Sequence, residues 1–237
     1  MGRSLLVVGA HAADFVWRSA GAIAVTTSKG GSATVVSLSY GERGESGELW
    51  KEPGQTVEKV KKIRHEQAQA AAEAVGARYI CLDLGDYPLE VDAKALARLA
   101  EIIRETRPDA IVTHTERDPF NPDHGLTAEV VQRARILATG AGIPSAFPTI
   151  EPPALYYFEP HQPEHCDFIP TTYVDITAVF EKKQKAMAAM PSQAYLVGYY
   201  TELASRRANH ARKVLADKNL RYAEAFQRVL PQVVSEL

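Results

Sequence analysis

The sequence predicts an α/β fold, a Rossmann-like three-layer sandwich with a mostly parallel sheet and a helical C-terminal part. Three observations carry this. Short continuous apolar runs recur at 5–9, 33–38, 79–84 and 110–112, which is how strands covered on both faces read. Each run is followed by a segment of helical period or helix-forming composition, and such alternation argues for parallel strands joined by right-handed crossovers. Ligand-type residues gather where strands end, and open parallel sheets bind ligands beyond the carboxyl ends of their strands. At 237 residues, 46% hydrophobic and 24% charged, the chain suits one domain, 1–237, with a sizeable core.

The stretch LLVVGAHAADF at 5–15 sets the pattern. An apolar strand stops at Gly9, His11 and Asp14 follow at a spacing of three, and Val16, Ala20, Ile23 and Thr27 then keep the helical period. A histidine and a carboxylate thus share a strand-to-helix turn. Taken alone, the turn also admits a satisfied histidine and an N-capping aspartate. The helix stops at Lys29, Gly30 and Gly31, and 33–38 is a second strand. The loop SYGERGESGELW spaces Glu42, Arg43, Glu45 and Glu48 among glycines. It has neither the GxGxxG of a dinucleotide site nor the Gly-Lys-Ser/Thr of a P-loop, and by itself reads as solvated.

Residues 56–75 are good helix formers ending at Gly76, and 79–84 is a third strand. Asp92 caps a helix to about Thr106, and Arg107-Pro108-Asp109 breaks it ahead of the strand at 110–112. The next loop, HTERDPFNPDH, holds His114, Glu116, Arg117, Asp118, Asn121, Asp123 and His124 within eleven residues. A helix over 125–139, a Gly/Pro-rich connection over 140–153 and a strand at 154–158 follow. That strand ends in EPHQPEH, with Glu159, His161, Glu164 and His165. After a short strand at 172–176, the chain from Ala178 reads as mostly helical, interrupted near Pro191 and Ser192. Tyr195, Tyr199 and Tyr200 are expected to pack on the sheet, and Arg206 and Arg207 to lie in solvent.

A net charge of −2 and a pI near 6.4 leave no positive footprint for nucleic acid or an anionic membrane. No segment reaches bilayer-spanning length. A small-molecule partner and a cytoplasmic location are expected, and a homo-oligomer is compatible with both. Cys81 and Cys166 have no CxxC spacing, so free thiols are expected. In a parallel sheet, His11, Glu45, His114, His124 and His161 all follow strand ends on one edge. Two histidines and a carboxylate are the ligand set of a catalytic zinc site whose fourth position is left to water or substrate. His11, Asp14 and His124 are the candidates for Zn2+, and other divalent transition ions accept the same set.

These residues resemble the LmbE/PIG-L-like zinc deacetylases. That family carries Ala-His-Pro-Asp-Asp-Glu after its first strand and His-Pro-Asp-His after a later one. Here the corresponding stretches are Ala10-His11-Ala12-Ala13-Asp14-Phe15 and Asn121-Pro122-Asp123-His124. The correspondence keeps the three metal ligands. It puts Ala13 where the family has its hydrolytic base, and Asn121 where it has a histidine assisting at the oxyanion. A methyl group accepts no proton. More narrowly, AHAADFVWRSAGAIA, SLSYGERGESGELW, LGDYPL, RDPFNPDH and YYFEPHQPE resemble the zinc-dependent 4-oxalomesaconate hydratases, a branch of this superfamily, over a span from Leu5 to beyond Met190.

The resemblance implies addition of water across the carbon-carbon double bond of a small tricarboxylate, 4-oxalomesaconate, to give 4-carboxy-4-hydroxy-2-oxoadipate. Zinc held by the three ligands would polarise the 2-oxo acid end or else lower the pKa of a bound water, the first being favoured because the hydrolytic base is lost. Glu45 and His161, which would reach the crevice from neighbouring strand ends, are then the acid/base pair. Asp123 would orient a histidine or a metal-held water, and Asn121 would donate a hydrogen bond to substrate. Three carboxylates call for cations, and Arg43 and Arg117 are the expected clamps, with Arg18 a lesser candidate. His114 receives no role. Two rivals stand beside this reading: an N-acetyl hydrolase in which Asp123 or Glu45 replaces the lost base, and a metal-dependent carboxylate-binding protein without turnover.

Overall fold

In the strand Ser4–Gly9 (β1) every position from Leu6 onward is buried, so the segment is apolar on both faces instead of alternating. Ser32–Ser37 (β2), Arg78–Cys81 (β3), Ala110–Thr113 (β4) and Ala154–Phe158 (β5) pair with it or with one another in parallel. Thr172–Asp175 (β6) and Ala223–Arg228 (β7) complete a seven-stranded sheet of order β3-β2-β1-β4-β5-β7-β6. This computed structural model describes residues 2–234 and 236. The chain winds outward from β1 to β3 and then returns to β4 on the other side of β1. The loops leaving β1 and β4 therefore diverge, and the crevice between them is the switch point at which open α/β sheets bind ligands.

Helices Asp14–Arg18 (α1), Ala20–Ser28 (α2) and Val57–Val75 (α3) cover one face of the sheet, through a core that includes Val7, Val35, Ile23 and Ala68. Ala93–Thr106 (α4) and Pro122–Leu137 (α5) cover the other, over Leu6, Val8, Ile103 and Ile111. Phe180–Ala188 (α6) joins the first layer, and Leu196–Leu215 (α7) lays Ala208 and Ala211 against Ala223. Local signals place the helix ends. Asp92 caps α4 by accepting from Ala95 N, and Gly76 ends α3 in the left-handed conformation. Cys81 and Cys166 are free. Among the described residues no helix is long and apolar enough to cross a membrane.

Six departures from the sequence expectations concern the fold and the surroundings of its loops, apart from those at the site. The helix after β1 is two helices, broken at Ser19, and the Glu224 carboxylate accepts from Gly21 N and Ala22 N at 2.9 and 2.8 Å, satisfying α2's first donors. Strand β3 stops at Cys81, short of Leu84. Helix α5 starts at Pro122, because Asn121 caps it and proline suits a first helical position, so Asp123 and His124 lie in its first turn. The C-terminal part is not all helix: β7 enters antiparallel between β5 and β6. Its sequence AEAFQR has no β-branched residue, and Glu224 is tolerated inside because Lys183 Nζ pairs with it at 2.6 Å. The GERGES loop is anchored and only partly solvated, since Glu42 and Ser46 are buried and the Asp86 carboxylate accepts from Arg43 N and Gly44 N. Arg207 leaves solvent to pair with Glu159.

Candidate active site

The turn after β1 is tight. A Cβ at Gly9 would lie 2.8 Å from the Asp14 Cβ, so the strand must end in glycine for the chain to fold back on itself. Asp14 Oδ2 then accepts from His11 N at 2.8 Å. The crossover to β4 and the cap of α5 bring His124 to the same point. His11, Asp14 and His124 are all buried, and each offers one ligand atom within 4.8 Å of the others.

The donor set fits a divalent metal. His11 Nδ1 and His124 Nε2 are buried without a hydrogen-bond partner, an expensive condition for polar atoms unless an ion takes them. Their opposite nitrogens are held by carboxylates: His11 Nε2 stands 3.4 Å from Asp123 Oδ2, and His124 Nδ1 stands 2.8 Å from Asp118 Oδ2. That is how metal-binding imidazoles are oriented. Asp14 is braced by Arg18 Nη1 at 2.6 Å and His114 Nε2 at 3.0 Å, and the His114 ring stacks on His124 with centroids 3.9 Å apart.

The protonation states follow from these contacts. Burial by itself lowers His11, but Asp123, Asp14 and Glu45 outweigh it and push the imidazole up to about 10. Burial and the neighbouring His114 bring His124 down to about 3. Burial works against ionisation of Asp14, yet His114, Arg18 and His11 hold it well below the usual carboxylate range. Without metal, His11 is the one ligand that carries a proton at neutral pH.

A cavity of about 280 Å³ opens over these atoms. Glu45 reaches it from the GERGES loop, with Oε1 3.8 Å from His11 Nδ1 and accepting from Asn121 Nδ2 at 3.1 Å. Gly41, at φ 69, permits this approach, since a Cβ there would lie 2.9 Å from the Glu45 Cβ and 3.1 Å from the His11 Cβ. His161 enters from the loop after β5, its ring stacked on Tyr199 and its Nδ1 3.4 Å from the Tyr200 hydroxyl. Burial and the Arg18 charge hold this imidazole below its ordinary range. The Arg18 guanidinium lies over the Phe158 ring at 5.6 Å, and its Nε is buried without a partner. The Ala13 methyl forms part of the wall.

Six of the expected residues, His11, Asp14, His124, Glu45, His161 and Asn121, therefore line one cavity. Asp123 sits behind His11, where Tyr87 N and Leu89 N also donate to it. Arg43 and Arg117 are not there. Asp86 grips the Arg43 and Gly44 amides and turns the half-exposed Arg43 side chain to the Asp86 carbonyl, while Arg117 is on the surface beside Asp167. The guanidinium in the cavity is that of Arg18. The lesser candidate of the three is thus the one present, and its place one helical turn after Asp14 is the signal that ranks it first. Asp118, which holds His124, lies in the ligand-rich loop after β4. Tyr87, from the LGDYPL stretch, also lines the cavity, as do Gln193 and Tyr195, the latter exposed at its edge instead of packed on the sheet as expected.

Two unpartnered ring nitrogens and a carboxylate, set at a switch point among side chains able to move protons, are the makings of a metal-centred enzyme of the α/β class. The chain belongs to the PIG-L (GlcNAc-PI de-N-acetylase) family, whose model matches residues 6–135. It is 44% identical to 4-oxalmesaconate hydratase of Pseudomonas putida, over 99% of this chain and 92% of that protein. It is also similar to the solved structure of GalB, the 4-carboxy-2-hydroxymuconate hydratase of the same organism, with a TM-score of 0.96, 44% identity and 99% of each chain covered. A conserved protein of Thermus thermophilus, at 24% identity and a TM-score of 0.79 over 97% and 96% of the two chains, shares the fold.

Proposed function

We propose that this chain is a zinc-dependent hydro-lyase that adds water across the carbon-carbon double bond of 4-oxalomesaconate, giving 4-carboxy-4-hydroxy-2-oxoadipate in aromatic-acid catabolism, with 1–237 acting as one domain. One observation carries the reading. The wall position that holds a hydrolytic base in the family is the Ala13 methyl, while a carboxylate and an imidazole, Glu45 and His161, enter the same cavity from two other strand ends. Near-full-length similarity to the hydratases of Pseudomonas putida supports it.

His11 Nδ1, His124 Nε2 and the Asp14 carboxylate would hold the metal, which when bound supplies Lewis-acid stabilisation of charge at the 2-oxo acid end of the substrate. Glu45 takes the proton of the adding water. His161 enters neutral, and in the tautomer whose Nδ1 accepts from the Tyr200 hydroxyl its ring proton is on Nε2, available to the carbon that gains hydrogen. A neutral imidazole can serve as the donor where its positive form is suppressed, and the proton taken by Glu45 returns to His161 through water before the next turnover. Arg18, the guanidinium in the cavity lining, binds a substrate carboxylate. Asn121 holds Glu45 with one N–H of its amide and has a second for the substrate. Asp123 and Asp118 keep the two ligand rings turned toward the metal.

The test is metal analysis of the purified protein, with an assay for loss of the conjugated 4-oxalomesaconate absorbance before and after chelation and zinc add-back. Zinc-dependent hydration is expected. Glu45→Gln should lower kcat by about 10²-fold or more while retaining metal. Bound zinc without hydration, or acetate release from N-acetyl substrates instead, overturns the reading.

A further inference from the structure

Glu45 is gripped from two sides. Besides Asn121, the amide of Gln193 donates from Nε2 to Glu45 Oε2 at 3.2 Å. Gln193 belongs to the turn between α6 and α7, is buried, and is 148 residues away along the chain. An amide can be flipped, but here the choice is made by its neighbours. Trp17 Nε1 and Arg64 Nη1 point at Gln193 Oε1 from 3.3 and 3.1 Å, and neither group can accept a hydrogen bond. The oxygen must face them, so the NH2 must face Glu45.

Arg64 is the unusual member of this chain of contacts. Its side chain is 0% exposed, and among the described residues it forms no ion pair. A guanidinium buried without a carboxylate in direct contact is costly to keep, even with the Glu45 and Asp14 charges nearby, so its placement calls for a use. What it binds is the Tyr40 carbonyl, at the start of the loop that carries Glu45, together with Ser192 Oγ and Gln193 Oε1. One rigid fork thus ties the segment that carries Glu45 to the residue that grips it.

We propose that Gln193 is a positioning residue for the hydration reaction, holding the Glu45 carboxylate in the pose that takes the water's proton, with Arg64 setting the direction of the Gln193 amide. The inference rests on the reading of Glu45 as the base. Gln193 touches no reacting atom and acts only through Glu45, so its contribution vanishes once Glu45 can no longer take a proton.

A double-mutant cycle with Gln193→Met and Glu45→Gln, assayed by hydration of 4-oxalomesaconate, tests this. Gln193→Met should lower kcat by about 10- to 100-fold with KM and bound metal unchanged, and should cost less than about twofold in the Glu45→Gln background. Gln193→Glu guards against a trivial loss of folding. It keeps the acceptor for Trp17 and Arg64 and adds a carboxylate beside the otherwise unpaired Arg64, so its circular dichroism should match that of the parent, yet it turns an oxygen toward Glu45 and should be at least as slow as Gln193→Met. Losses that multiply in the double variant, or a fully active Gln193→Glu, overturn the inference while leaving Glu45 as the base. A Glu45→Gln variant with undiminished kcat overturns both.

Discussion

Loading the metal-free protein with zinc should expel one proton, and that proton should come from His11. Among the three ligands, His124 is held down at about 3 and Asp14 well below the usual carboxylate range, so neither carries a proton at pH 8. His11, pushed up to about 10 by Asp123, Asp14 and Glu45 against the effect of its burial, carries its proton there. A metal taking His11 Nδ1 must displace that proton, so uptake at pH 8 releases about one proton per ion, and apparent affinity rises about tenfold per pH unit from 7 to 9. A histidine at its ordinary value would release only about 0.03 of a proton at that pH. Titration calorimetry in two buffers of different ionisation enthalpy separates these outcomes. Asp123→Asn, which removes the carboxylate at His11 Nε2, should reduce the release. Fewer than about 0.2 protons per zinc at pH 8 would refute the account of how the carboxylates charge His11.

The same shifts give the metal-free protein a pH signature. Raised His11 stabilises the fold fully below its unfolded value of 6.5 and loses that contribution as pH rises through about 10, whereas lowered His124 weakens the fold progressively as pH falls from 6.5 toward about 3. Urea unfolding across that range should show stability declining toward both ends, and a flat profile would contradict it. Arg18→Lys keeps the charge but loses the fork, and should raise KM about tenfold with metal content intact, as read by steady-state kinetics and metal analysis. Ala13→Asp adds a carboxylate to a wall that already holds Asp14 and Glu45, and should lower kcat/KM for the tricarboxylate about tenfold or more. Lys183→Met leaves Glu224 buried without its cation, and should cost about 3–5 kcal/mol in urea denaturation; a loss near zero would show that the two α2 amides suffice to hold Glu224.

Much of this protein is legible in the sequence because it is written locally. Strands β1 to β5 are contiguous apolar runs, Asp92 and Gly76 mark helix ends within a few residues, and His11, Asp14 and His124 each follow a parallel strand, so topology alone carries them to one edge of the sheet. The tertiary structure decided what depends on distant partners. Strand β7 has no strand pattern of its own and exists because β5 and β6 leave a slot between them and Lys183 neutralises Glu224. Arg43 turns away from the cavity because Asp86, from another loop, holds its amide, and Arg18 is held at the cavity by Asp14 and by the Phe158 ring of β5. Gln193 reaches Glu45 only after the C-terminal helices pack on the first layer. A periodic pattern reports which face of an element is buried, and a short motif reports chemistry within one turn. The direction of an individual side chain is set by hydrogen-bond partners that can lie a hundred or more residues away, and that information exists only in the folded chain.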